Sequence, residues 1–428
     1  MIVDLYAAAV VLFLLGLVLG RAFPRAQKMI WAAIGVRFTL LVIHHSIFEL
    51  IPGRGDAGVF YREAVQMSAS GFLGSLAQFD IGTSNGFSAI SGALMVIFGT
   101  SPVVPEVFNI MLGVIAVVLT HRLVLNCGGD LPSAGLAAWI MALAPSLAQY
   151  SVVSLREMVV VVPLLLGLVA LTKARSHQNA VGMLQFVGWC MVASAFHGAM
   201  IVAVFGLGAG LYVFQMFAAR PQGRRGDPLA QRALMIGLFI GVSYFVAGWI
   251  GDSDLNKVGS VFERDLIRQV NAAAAQAAAG RSAYLEDFSV SGYGDLAAVA
   301  PLRVIYFYFS PLPWTISSPV HLLGFLDAVI YMWAFVMLWR SYRSNAISPK
   351  LALVLGIVMT LSLVYAFGTS NAGTAIRHRA KFSYALVAIA CAARGRYLIQ
   401  QRHLRARRAQ RAAQAALSTR AARADSAT

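Results

Sequence analysis

The sequence predicts an all-α, polytopic integral membrane helical bundle of about eleven transmembrane helices, with interfacial helices in two large outer loops. Three observations carry this expectation. Hydrophobic residues make up 59% of the 428 and charged residues 12%, against about 25% charged in an average soluble domain. The mean hydropathy is +0.71, and apolar runs recur along the whole chain. Those runs are continuous over roughly 17–22 residues, which suits membrane helices and not the alternating strands of a barrel.

The net charge is +16. In a soluble protein such an excess points to nucleic acid. Here it sits in short loops and in the tail after Arg394, as the positive-inside bias produces, so no nucleic-acid partner is expected. Asp4 stands before the first apolar run with no basic region ahead of it, so Leu5–Gly20 reads as a retained span and not a cleaved signal. It ends at Arg21, Arg25 and Lys28, which places that loop inside and the N-terminus outside. The second span, about 29–50, returns the chain to the outer side. Phe87–Gly99 is rich in Ser and Gly and, at about 13 residues, short for a span; it is expected to be interfacial or re-entrant. Read that way, every later basic short loop falls on one side.

Further spans are expected at about 107–120, 132–150, 158–172, 180–196, 199–218, 233–250, 320–339, 350–368 and 382–393. The multi-span domain is then 1–396, with outer loops at about 51–106 and 251–318, and residues 397–428 form a basic cytoplasmic tail. In the second outer loop, Asn271–Ala279 favours helix by propensity. Val304–Trp314, dense in aromatics and closed by prolines, is expected along the membrane interface. Arg402–Arg423 reads either as a basic helix on anionic lipid or as a solvated tail. Cys127, Cys190 and Cys391 lie in or near spans, so no disulfide framework is expected.

Lipid-facing spans do not explain the loop Pro52–Glu63. Asp56 follows a membrane exit among glycines, with Tyr61, Arg62 and Glu63 behind it. Asp56 can cap a helix starting at Ala57, or act as a base or substrate-orienting carboxylate made more basic by partial desolvation. Glu63, seven residues on, shares its helix face; Asp80 is a weaker second carboxylate. Arg156 and Glu157 interrupt two strongly apolar runs, where charges face a bundle interior or water. They read as a structural pair, or Arg156 as a phosphate ligand. Arg377, His378, Arg379 and Lys381, after Asn371, place four potentially cationic groups on the outer side against the positive-inside bias. Arginine forks match phosphate oxygens, which suggests a grip on a lipid phosphate or pyrophosphate. Arg303 and Trp314 flank the aromatic stretch as further candidates. His44 and His45 adjoin each other without a ligand-spaced partner, so they read as polar packing. No P-loop, dinucleotide fingerprint or paired-cysteine zinc pattern is present. No cofactor is firmly implied; a divalent metal is left open without a motif to support it, and no metal ligand is assigned.

Gly55-Asp-Ala-Gly-Val-Phe-Tyr61 after a membrane exit, a short helix ending in Phe98-Gly-Thr-Ser101, and a span ending near His121-Arg122 together resemble the GT-C superfamily of membrane glycosyltransferases. Asn371–Arg379 before a last span and Ser154-Leu-Arg-Glu157 look similar to motifs of bacterial surface-polysaccharide membrane proteins. The resemblance covers about the first 160 and the last 60 residues, by short motifs, and this chain departs from the commoner pattern in its one additional N-terminal span and in an Asp56 that stands alone where many members carry paired acidic residues. It implies a glycosyltransferase of the bacterial inner membrane that uses a polyprenyl-phosphate-linked or pyrophosphate-linked sugar, alongside membrane lipids and other envelope-glycan assembly proteins. Asp56 would deprotonate or orient the acceptor hydroxyl, with Glu63 orienting the acceptor or Arg62. Arg377 and Arg379, with Arg156, would stabilise the departing phosphate. A repeat-unit polymerase is the alternative reading. A flippase or transporter, for which Arg37 inside a span is the one basic residue, and an envelope scaffold subunit are alternatives of another class.

Overall fold

Helix α1 (Ile2–Ala22) turns through a 3-10 segment (Pro24–Ala26) into α2 (Gln27–Ser46). The computed structural model describes residues 2–50, 55–83, 85–173, 180–208, 271, 291–316 and 319–425. Three helices lead away from α2: α3 (Gly55–Ser68), α4 (Gly71–Ala77) and α5 (Asn85–Phe98). Next come α6 (Val103–Asn126), α7 (Leu131–Leu143), α8 (Pro145–Tyr150), α9 (Glu157–Lys173) and α10 (Ala180–Phe196), and then the helical segment Gly198–Gly208. The last four are α11 (Tyr293–Phe309), α12 (Pro319–Arg343), α13 (Pro349–Phe367) and α14 (Ala372–Asp425). Among the described residues no strand occurs.

Among the described residues, six helices are long and apolar enough to cross a membrane: Ile2–Ala22, Pro24–Ser46, Val103–Asn126, His321–Arg343, Pro349–Phe367 and Ala372–Leu417. The remaining expected spans are shorter elements or fall outside the described residues. Helices α7, α9 and α10 have 13, 17 and 17 residues. The expected span 233–250 and most of Asn271–Ala279 lie outside the described residues. Helix α5 is 14 residues long and packs on α3 and α4, in keeping with an element too short to span.

The expected continuous span 132–150 is two helices. Pro145 cannot donate to the carbonyl four residues back, and it forces the residue before it out of helical geometry. Ala144 accordingly has ψ 119°. The carbonyls of Met141 and Ala142, stranded by this break, accept from the Arg37 guanidinium at 3.4 and 3.0 Å. Arg37 is fully buried and also donates to Tyr384 Oη at 3.2 Å. The basic residue deep in the second span is thus explained by carbonyls 104 and 105 residues away in sequence, freed by a helix break.

Helix α14 is the axis of the bundle, packed by α6, α7, α9, α12 and α13. Its residues 382–393 are all buried, whereas 402–417 project as one exposed basic helix. Asn371 caps its start by accepting from the Gly373 and Thr374 amides at 2.8 and 3.3 Å. Basic residues gather at the other end of the bundle. There Arg122 lies over Phe23, Lys350 donates to the Thr172 carbonyl at 2.7 Å, and Arg396 donates to the Ala346 carbonyl at 2.8 Å.

Candidate functional site

The candidate site is a mouth at the capped end of α14, where the N-termini of α3, α9 and α14 converge. Unpaired amides give each helix N-terminus a partial positive charge, which suits carboxylates and anions. Gly55, at φ +33°, lets α3 begin abruptly and sets Asp56 in its first turn. Gly92 of α5 holds α3 in place: a Cβ there would meet the Ala64 carbonyl at 2.8 Å. The approach to α9 is pinned from α6, where the Asn109 amide donates to the Val153 and Leu155 carbonyls at 2.8 and 2.7 Å. That fixes Arg156 and, buried beneath it, Glu157.

Arg377 joins these elements. Its Nε donates to Glu157 and its Nη1 to Asp56, so one guanidinium bridges two carboxylates from different helices. The two acidic residues differ. The Glu157 side chain is 0% exposed and the Asp56 side chain 59%. The desolvated carboxylate expected at Asp56 is therefore found at Glu157, and Asp56 faces solvent at the rim. Arg156 is half-buried, donates to the Phe196 carbonyl at 3.2 Å, and lies 5.9 Å from the Phe60 ring centroid. Lys381, one helical turn below Arg377, is buried with its Nζ 5.2 Å from the Tyr365 ring. His378 meets Thr369 Oγ1 at 3.1 Å, and its ring lies 5.1 Å from Tyr365 and 6.1 Å from His197.

Three shielded polar atoms in this mouth have no hydrogen-bond partner among the described residues: Glu157 Oε2, Arg156 Nε and His197 Nε2. Buried polar groups are normally paired, so such a cluster marks groups that a ligand or water completes. Burial, reinforced by Lys381 and Arg156, keeps the His197 imidazole well below its ordinary pKa and therefore neutral.

Other expected site residues are placed elsewhere. Arg379, two residues from Arg377, is fully buried and points away from the mouth. It donates to the carbonyls of Tyr308, Ser310 and Gly324 at 2.6, 2.6 and 2.7 Å, and to Phe307 at 3.4 Å. It serves the frayed end of α11, not a phosphate. Arg303 is buried and donates to the Phe367 carbonyl at 3.3 Å and to Ser370 at 3.4 Å. Phe307 and Tyr308 are core residues, while Trp314 is 78% exposed. The stretch expected along an interface is therefore split between core and surface. Glu63 accepts from Ser88 at 2.7 Å, between α3 and α5; Arg62 is exposed. Tyr61 donates to the Thr100 carbonyl at 2.9 Å. Asn371 is the cap already described.

Sequence reasoning left out His197, which reaches the mouth from the turn after α10, and Glu106. A carboxylate opening an apolar run is the same signal that drew attention to Glu157. Glu106 meets His45 at 2.5 Å and His44 at 3.8 Å, and these three form the one group among the described residues that could hold a metal ion.

No family model matches the chain, and no curated protein or solved structure matches it either. The class that fold and site define is a helical chain that has, among the described residues, no strand and six helices suited to a membrane, with a charged mouth where three helix N-termini meet.

Proposed function

We propose that this chain is a membrane glycosyltransferase that moves a sugar from a polyprenyl-phosphate-linked donor to a glycan or lipid-linked acceptor on the outer face of a bacterial inner membrane. The observation that carries this reading is Arg377 bridging Asp56 and Glu157 across 321 and 220 residues of sequence. It joins an exposed carboxylate to a cationic mouth, which are the two halves that such a reaction needs. The acceptor hydroxyl oxygen attacks the anomeric carbon, and the bond from that carbon to the lipid phosphate oxygen breaks. The hydroxyl proton passes to Asp56, and the lipid phosphate leaves with the bonding pair. Arg377, Arg156 and the three helix N-termini face the charge that develops on that oxygen; fixed cations there lower the barrier by several kcal/mol, about 3 for one well-placed donor. Glu157 holds Arg377 in register. The N-out, C-in orientation belongs to this proposal and is supported by the basic residues gathered at the opposite end of the bundle.

A second reading, polymerisation of lipid-linked repeat units, is favoured by the excess of cations. Arg377, Lys381 and Arg156 all act on Glu157, and a mouth with three cations suits the larger charge of a pyrophosphate. Lipid-linked and surface glycans from a strain lacking the chain, complemented with wild type or Asp56→Asn, separate the readings. Loss of one sugar per unit, unrescued by the variant, is the expected result. Complete single units without long chains favour the polymerase, and an unchanged glycan profile removes both.

A further inference from the structure

A second cluster of ionisable side chains lies beside α3. His44 and His45 end α2, and Glu106 opens α6. Glu106 is 3% exposed, so its carboxylate is removed from water, and its partners among the described residues are the two histidines. All three side chains line a cavity of about 580 Å³, together with Ala57, Gly58 and Tyr61 of α3. Their ligand atoms lie within 4.8 Å of one another. We propose that His44, His45 and Glu106 bind a divalent transition-metal cation.

The chemistry of the donor set selects the ion. Two imidazole nitrogens and one carboxylate oxygen suit zinc and its first-row neighbours, and not magnesium or calcium, which take oxygen ligands. Bonds of about 2.1 Å at a tetrahedral centre separate ligand atoms by about 3.4 Å. The observed separations of 2.5 Å to His45 and 3.8 Å to His44 bracket that figure. Without a cation, a proton shared by His45 and Glu106 takes its place, and its displacement lets the two side chains part by about 1 Å. The remaining coordination positions open into the cavity, where a water or substrate oxygen completes the shell. Adjacent residues on a helix diverge, yet the rings of His44 and His45 stand 4.9 Å apart and both reach Glu106, because Glu106 arrives from α6.

One rearrangement accompanies loading. His44 Nδ1 accepts from the Leu50 amide at 3.0 Å, which leaves the imidazole proton on Nε2, facing Glu106. Coordination through Nε2 moves that proton to Nδ1 and releases the Leu50 amide. Metal occupancy is thereby coupled to residues 47–50, which follow α2.

The test is titration of the purified, detergent-solubilised chain with Co²⁺, read by visible absorption and metal analysis. Saturable uptake of about one equivalent, with the intense bands of a four- or five-coordinate nitrogen–oxygen site, is expected. Glu106→Gln and His45→Asn should each weaken it by about tenfold or more. Faster amide hydrogen exchange at residues 47–50 on loading supports coordination by His44. Absence of saturable uptake by the wild-type chain overturns the proposal, whatever the variants do. Uptake by Glu106→Gln equal to wild type overturns it as well. Because the readout is binding, failure here leaves the sugar-transfer reading intact, and the reverse also holds.

Discussion

Arg377 and Arg379 stand two residues apart on one helix and do opposite work. Arg377 reaches the rim and bridges Asp56 and Glu157, with a side chain 20% exposed. Arg379 is fully buried and donates to four backbone carbonyls, three of them at the end of α11. Arg37 repeats the second pattern at the Pro145 break. Helix ends leave carbonyls without partners, and inside an apolar bundle water cannot supply the missing donors. A buried guanidinium, with its five donors, can. An arginine inside a membrane bundle is therefore not by itself a sign of a transport path. What surrounds its fork decides: backbone carbonyls mark a strut, and carboxylates at a rim mark a site.

The largest effect is expected for Arg379→Met. It strands up to four carbonyls, each costing about 1–3 kcal/mol when unpaired, so the variant should not yield a monodisperse peak in detergent. Asp56→Asn should behave oppositely, with glycan transfer reduced about 100-fold or more and a melting temperature close to wild type. Comparable melting losses in the two variants would erase the distinction between strut and rim.

A subtler test uses Pro145. Pro145→Ala restores an amide donor for the Met141 carbonyl, so the helix can close without Arg37. Arg37→Met should cost less in that background than alone, with a coupling of about 1 kcal/mol or more in a melting cycle. Strict additivity would show that Arg37 does not serve the break. The smallest effect concerns His197. Its folded-state pKa lies below the ordinary value of about 6.5, so the unfolded chain binds more protons below that pH. The stability it contributes is complete above about pH 6.5 and declines as the pH falls. His197→Gln should flatten the acid side of a melting-temperature profile. His378, Tyr365, Lys381, Arg156 and Arg377 surround His197 in both proteins and cancel in the difference.

Much of the fold was legible. Apolar runs located α1, α2, α6, α12, α13 and α14, because burial in lipid or in a bundle demands the same composition. The shortness of Phe87–Gly99 was visible, and it forms a helix that packs beside α3. The break at Pro145 was also present in the sequence as a proline inside an apolar run, but composition alone averaged over it. At the site, Asp56, Arg156, Glu157 and Arg377 were visible as charges at apolar boundaries, where they are costly unless paired or hydrated. Arg379 gave the same signal for a different reason. Its partners are backbone carbonyls, which no side-chain pattern encodes. Glu106 was passed over because its histidine partners lie 61 and 62 positions away.

That this chain is helical and apolar, and which charged residues stand at the edges of its apolar runs, can be read from the order of its residues. Those properties follow from composition and local spacing. Which charges meet is settled by packing. Asp56, Glu157 and Arg377 come from three helices, and their contact depends on how those helices pack around α14. Whether an arginine finds a carbonyl or a carboxylate depends on where a neighbouring helix happens to end, and that is a property of the packed bundle.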